Sequence, residues 1–156
     1  MMKITKKLAS IEDFFEILNL IEDGKEQMKA KGVMQWDENY PNSSVIKKDI
    51  QQRTLWLYGE KKQACVTVKM KGNTVDIHRL VVNSLYKEQG LAKLILQDIL
   101  DWASINKHIK QVKITTNHTN QSMLKLLLAK EFVPIRSFKI EGRTNYGSFI
   151  ELSREL

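Results

Sequence analysis

The sequence predicts a mixed α/β (α+β) fold: a central twisted, mostly antiparallel sheet flanked by helices, in the order β-α-α-β-β-β-α-β-α-β-β. Three observations predict it. The chain has 156 residues, 42% hydrophobic and 28% charged, which suits one domain with its own core. Segments with apolar residues at helical spacing alternate with runs rich in Val, Ile, Leu and aromatics. Three such runs follow one another in the middle, separated only by Gly59-Glu60-Lys61-Lys62 and Lys71-Gly72-Asn73. That spacing predicts an antiparallel meander.

Each element has its reason. Met2–Leu8 is short and mixed, and reads as an edge strand. A helix is predicted from Ile11 to about Lys31, with Phe14, Ile17, Leu18 and Ile21 inward, Ser10 as its cap and Asp13 completing something close to a capping box. Gly32 ends it. The 34–41 loop holds Trp36, Asp37, Tyr40 and Pro41, and Asn42 or Ser43 caps a second helix reaching about Gln52. The meander strands are Thr54–Tyr58, Gln63–Lys71 and Thr74–Val82. A helix from about Gly90 to Asn106 carries the stripe Leu91, Leu94, Ile95, Ile99 and Trp102. A strand over Gln111–Thr116 precedes a leucine-rich helix over Asn120–Lys130. Ser137–Glu141 and Ser148–Leu152 are expected to close the sheet as a hairpin.

Composition narrows the functions. One cysteine, Cys65, excludes an internal disulfide and a cysteine-based zinc site. Three histidines and no HExxH argue against a metal enzyme. No run has the length of a membrane span, and no apolar stretch follows the basic N-terminus as in a signal peptide, so a cytoplasmic location is expected. Residues 1–60 hold nine Lys/Arg against ten Asp/Glu, and residues 61–156 hold sixteen against eight. The basic part suits an anionic partner such as a nucleotide cofactor; a solvated basic surface is the plainer alternative. Nucleic acid is not expected, because Lys61, Lys62, Lys69 and Lys71 have few aromatics interleaved.

The segment richest in chemistry is Leu80-Val81-Val82-Asn83-Ser84-Leu85-Tyr86-Lys87-Glu88-Gln89-Gly90-Leu91-Ala92. A strand runs into a turn, and the turn opens a helix. The first N–H groups of that helix have no intrahelical acceptor, and the helix dipole favours negative charge there. Gly90 allows close backbone approach, Ala92 keeps the helix near the strand, and Lys87 adds positive charge. The pattern describes a seat for a diphosphate.

At these residues the sequence resembles the GNAT superfamily of N-acetyltransferases. The family signature Arg/Gln-x-x-Gly-x-Gly/Ala, after a strand ending in Leu-x-Val, reads here Lys87-Glu88-Gln89-Gly90-Leu91-Ala92 after Leu80-Val81-Val82. Lys87 departs from the pattern, keeping the charge but losing the guanidinium fork; Ser84 stands where proline is usual. The likeness covers nearly the whole element order, and Trp36-Asp37-x-x-Tyr40-Pro41 is similar to a loop of small bacterial members. It implies one acetyltransferase domain over 1–156, with acetyl-CoA as cosubstrate. Backbone N–H groups of Glu88, Gln89, Gly90, Leu91 and Ala92 would hold the pyrophosphate beside Lys87. The strand Leu80, Val81 and Val82 would pair with the pantetheine arm where the sheet splays, and Lys93 and Lys125 are candidates for the 3′-phosphate. A second family region, Asn-x-x-Ala-x-x-Leu-Tyr-x-x-x-Gly-Phe, matches at Asn120 and Phe132. Asn120 would bond the pantetheine, or simply cap its helix. Leu127 stands where many relatives have the tyrosine that protonates the departing thiolate, and Glu131 stands at the glycine.

Transfer to an amine needs a base, because alkylamines are protonated at neutral pH. Asp76, His78 and Leu80 are expected on one face by the period of two. The resemblance implies a base on this strand, since two branches of the family place theirs at the position of Asp76 or of His78. His78 is the better base near neutrality, with Asp76 raising its pKa or binding the ammonium; a merely hydrogen-bonded strand histidine is the alternative. The backbone N–H of Val82 is the expected oxyanion donor, and Tyr146 and Tyr86 are reserve acids. The acceptor, a small-molecule or peptide amine, would enter between the first two helices and the last hairpin. Six acids against one lysine over Ile11–Glu26 would attract it, or form a solvated face. Trp36 and Tyr40 would shape its pocket, or anchor their loop. A catalytically weak module that only binds or senses acetyl-CoA is the alternative function. The resemblance also allows a homodimer, since small members of the family often pair through the last strands; no residue here marks one.

Overall fold

The computed structural model describes residues 4–156. Seven strands form one sheet in the order β1-β2-β3-β4-β5-β7-β6. The strands are β1 (Lys6–Leu8), β2 (Leu55–Tyr58), β3 (Ala64–Lys71), β4 (Thr74–Val82), β5 (Gln111–Asn117), β6 (Val133–Phe138) and β7 (Phe149–Glu155). The helices are α1 (Phe14–Lys31), α2 (Ser43–Gln51), α3 (Leu91–Ile105) and α4 (Gln121–Ala129). The element order is the one expected. Every neighbouring strand pair is antiparallel except β4 with β5. The expected first strand is shorter, and Met2 and Lys3 lie outside the described residues.

The two faces of the sheet bury separate cores. Val75, Ile77, Ile114 and Leu152 meet Ile95, Leu96, Ile99 and Leu127 of α3 and α4 on one face. Leu55, Leu57, Cys65 and Val81 meet Ile17, Ile21, Ile46 and Ile50 of α1 and α2 on the other. Cys65 is packed within that second core, and burial pushes its thiol up to about 12, so it is inert. The α3 stripe is rotated from the expected one: Ile95, Leu96, Ile99, Leu100 and Ala103 are buried, while Trp102 stands at the rim.

Local chemistry sets the helix ends. A single 3-10 turn, Ile11–Asp13, precedes α1. The Ser10 N–H donates to Asp13 Oδ2 at 2.9 Å, so the acid of the capping box is in place. Asn42 caps α2 by accepting the Val45 N–H at 3.1 Å. The last hairpin differs from expectation. Its first strand is Val133–Phe138 rather than Ser137–Glu141. Pro134 argues against a strand interior, but β6 is the sheet edge, where a missing N–H costs nothing.

Gly24 sets how closely α1 approaches the sheet. A Cβ there would lie 2.5 Å from Val81 Cγ2 and 3.1 Å from Trp36 Cζ3. Alanine would add about 1 kcal/mol of helix propensity. The overlap falls on a stiff, buried valine, and overpacking costs about 1–3 kcal/mol. Gly24→Ala is therefore expected to lower the urea midpoint, with loosened packing of α1 on β4 as the cause.

Candidate active site

The site forms where β4 and β5 part. Their parallel register runs from Thr74 with Gln111 to Ile77 with Ile114 and stops there, although β4 continues to Val82 and β5 to Asn117. Splaying strips two strands of their ladder partners, and buried backbone groups need replacements. Two glutamines supply them. Gln27 of α1 donates from Nε2 to the Val82 carbonyl at 2.8 Å. Gln35, in the loop after α1, accepts through Oε1 from the Asn117 N–H at 3.2 Å, Thr116 Oγ1 at 2.8 Å and Asn120 Nδ2 at 3.2 Å.

A cleft of about 330 Å³ fills the splay. Leu80, Val81, Val82, Ala92 and Asn120, five of the expected cofactor residues, line it. The Asn83 N–H pairs back to Gln63 of the preceding turn at 2.8 Å. The antiparallel alternation then turns the N–H and carbonyl of Val82 the other way, toward the splay. Asn120 also caps α4, accepting the Met123 N–H at 3.4 Å.

The turn from Lys87 to Gly90 is exposed and strongly bent. Glu88 has φ +64° and Gly90 φ +77°. The first helical bond of α3 runs from the Leu94 N–H to the Gly90 carbonyl at 3.0 Å, which leaves the N–H groups of Leu91, Ala92 and Lys93 free of helical partners. Gln89 and Leu91 also border a second cleft, on the β1 side, with Tyr86. Asp23 of α1 holds this turn in place. It accepts the Ser84 N–H at 2.7 Å, Ser84 Oγ at 2.6 Å and Gln27 Nε2 at 2.8 Å. Burial alone would raise the Asp23 pKa, but the Ser84 and Gln27 bonds outweigh it and hold the carboxyl below its usual value.

On the α1–α2 face, a pocket of about 160 Å³ brings together His78, Arg79, Trp36, Tyr40, Gln35 and Arg143. The register of β3 with β4 slips between Cys65–Val81 and Thr67–His78, and Arg79 sits in the slip at φ +51°. This bulge overturns one expectation. His78 and Arg79 both face α2, and Leu80 is shifted to the α3–α4 face, away from Asp76 and His78. Asp76 stands opposite Lys69 and Lys113 in the register and is not among the residues lining the pocket. Nor does Asp76 raise the His78 pKa overall. Burial, with Arg79 and Lys69 next, holds His78 below its ordinary 6.5 against the pull of Asp76.

Arg79 is anchored by a buried partner. Asp49 takes its Nε at 2.7 Å and Nη2 at 2.8 Å, and also accepts Thr67 Oγ1 at 2.9 Å. Arg79 Nη1 donates to Tyr40 Oη at 3.0 Å. Tyr146 Oη donates to Asp37 Oδ2 at 2.5 Å. That bond lowers the Asp37 pKa despite burial and raises that of Tyr146, which stays protonated. Beside this pair lies an outer cleft of about 530 Å³ between α1 and the Trp36 loop, where Glu22, Glu26 and Glu38 face Lys25 and Lys29. The acidic stretch of α1 is thus divided: Asp13 is spent on Lys62 and Lys7, and Asp23 on the turn.

Leu127 is fully buried beneath the sheet. Glu131 occupies a left-handed conformation at φ +67°, the geometry that favours glycine at that position. Gln27, Gln35, Asp49 and Arg79 were not singled out from the sequence. Only contacts across elements mark them, so no local pattern announces them.

A strand, a bent turn carrying free N–H groups and a helix, set beside a splayed sheet, make a cleft suited to an anionic ligand with an extended arm. A family profile described as an acetyltransferase (GNAT) domain matches residues 25–124. The chain belongs to the GNAT family of acetyltransferases and is an N-acetyltransferase that uses acetyl-CoA. Solved structures share its fold. A GNAT-family acetyltransferase from Streptococcus agalactiae superposes with a TM-score of 0.82 at 18% identity, over 98% of this chain and 95% of that one. The PaiA N-acetyltransferase from Thermoplasma acidophilum, in complex with coenzyme A, gives 0.79 at 14% identity, over 99% and 100%. The ribosomal-protein-S18-alanine N-acetyltransferase from Escherichia coli gives 0.76 at 12%, over 98% and 94%. No curated protein sequence matches the chain. No helix among the described residues is long and apolar enough to cross a membrane.

Proposed function

We propose that residues 1–156 form one acetyltransferase domain that acetylates a primary amine, with the donor in the β4–β5 splay and the acceptor entering from the α1–α2 face. The observation that carries this reading is the splay itself, which ends at the Lys87–Ala92 turn and turns the Val82 N–H toward the cleft. Bound acetyl-CoA supplies an activated acetyl carbon: the amine nitrogen bonds to it as the carbon–sulfur bond breaks, and the thiolate leaves to take up a proton.

The chain's residues then have separate tasks. Lys87 and the N–H groups from Glu88 to Ala92 hold the diphosphate. Leu80, Val81 and Val82 present strand edge to the pantetheine, and the Val82 N–H is placed to donate to a developing oxyanion. Asn120 lines the same cleft. His78, neutral at pH 7, takes the proton from the acceptor ammonium; Asp76 acts on His78 only through the field. Trp36 and Tyr40 wall the acceptor pocket. Buried Leu127 can give no proton, so the thiolate is protonated by another group.

Calorimetric titration with acetyl-CoA tests the donor site. Gly90→Val should weaken binding by at least tenfold. A Cβ there meets nothing within 4 Å, so the loss comes from the left-handed backbone, which a β-branched residue strains by about 1–2 kcal/mol and relieves by moving the N–H groups. Unchanged affinity in that variant would refute the anion seat.

A further inference from the structure

The pocket on the α1–α2 face holds Arg143, whose charge reaches Asp37 without forming an ion pair among the described residues. Arg143 lies between β6 and β7, with its guanidinium carbon 4.1 Å from the Tyr40 ring centroid and 5.9 Å from that of Tyr146. Its Nη2 is buried and meets no hydrogen-bond acceptor among the described residues. Buried donors are paired in native proteins, by protein, water or a bound group, so this Nη2 is available to a ligand that enters the pocket. The neighbouring groups are committed elsewhere. Arg79 is satisfied by Asp49 on two bonds. Asp37, the nearby acid, accepts from Tyr146 Oη and from the Asn39 N–H at 2.8 Å. No carboxylate lines the pocket, whereas His78, Arg79 and Arg143 all do.

We propose that Arg143 is the anchor for a carboxylate on the acceptor, so that the substrate is an amino acid or another small amine with a carboxylate a few bonds from its nitrogen. This rests on the amine-transfer reading above and narrows its substrate class. A planar guanidinium, held by stacking on Tyr40, offers parallel N–H bonds to a carboxylate. The same pocket brings His78 near, so an amine tethered to that carboxylate lies within reach of the base. The pocket is small, and its cationic lining disfavours a polyamine. The acidic outer cleft draws the ammonium end toward the entrance.

The test separates binding from turnover. Glycine, β-alanine and γ-aminobutyrate are each titrated into the CoA-loaded protein against their own carboxamides, and the same pairs are assayed for CoA release. At least one acid should bind about tenfold more tightly than its amide. Arg143→Gln should erase that preference and leave amide binding unchanged. Arg143→Lys, which keeps the charge and loses the fork, should retain part of it as a raised KM with little change in kcat. Equal binding of acid and amide by the wild type, or equal losses for both in Arg143→Gln, would overturn the anchor. Preferential acid binding without any CoA release would uphold the anchor and count against the amine-transfer reading.

Discussion

His78→Gln is expected to lower kcat by about 10²- to 10⁴-fold, the usual contribution of a positioned base, with acetyl-CoA affinity unchanged. The side chain lines the pocket on the α1–α2 face, and its environment keeps it ready to accept a proton. Burial is the largest cause of its lowered pKa, followed by the charges of Arg79 and Lys69. The sign is then determined. With its pKa below 6.5, His78 is neutral through the neutral range, and kcat/KM should fall only on an acid limb below pH 6.5. Lys69→Gln removes one depressing charge and should move that limb upward, a shift that a purely structural histidine would not produce. Stability follows the same linkage. Above 6.5 the group is neutral in both folded and unfolded chains; as pH falls below 6.5 the unfolded chain protonates first, and the fold loses stability down to the folded pKa. Wild-type kcat in His78→Gln would sink the assignment.

Asp49→Ala is expected to cost about 3–5 kcal/mol, the penalty for removing one partner of a buried ion pair. Asp49 is 1% exposed and holds Arg79 by two bonds and Thr67 by a third. Its loss leaves a buried guanidinium facing an empty position and frees the bulge that sets His78 in the pocket. Against a total of about 5–15 kcal/mol, urea unfolding should show a large drop in midpoint. Asp49→Leu combined with Arg79→Met should lose much less, because the penalty lies in the unpaired charge and not in the pair's absence. A loss below about 1 kcal/mol for Asp49→Ala would mean that water already solvates Arg79.

Much of the proposed donor side is legible because it is local. Lys87-Glu88-Gln89-Gly90-Leu91-Ala92 lies within one strand–turn–helix unit, where a glycine and free N–H groups are properties of consecutive residues. The acceptor side was legible only in parts. Strand position singles out His78, and their place in a loop Trp36 and Tyr40, and the three line one pocket. The shared face of Asp76, His78 and Leu80 held only for the first two: one residue in left-handed geometry, Arg79, changed the register and moved Leu80 to the other face. The start of β6 was displaced because Pro134 reads as a breaker until its edge position is known.

By itself the sequence determined the order of elements, the alternation of helix and strand periods, and the turn with free N–H groups that opens α3, since each depends on residues a few positions apart. The tertiary structure alone decided the splay, the two glutamines that satisfy its open edges, the buried Asp49–Arg79 pair and the unpaired Nη2 of Arg143. Those depend on residues far apart in the sequence, 30 positions in Arg79 with Asp49 and 85 in Asn120 with Gln35. Their partners are chosen by burial and the need to pair polar groups, which no local pattern records.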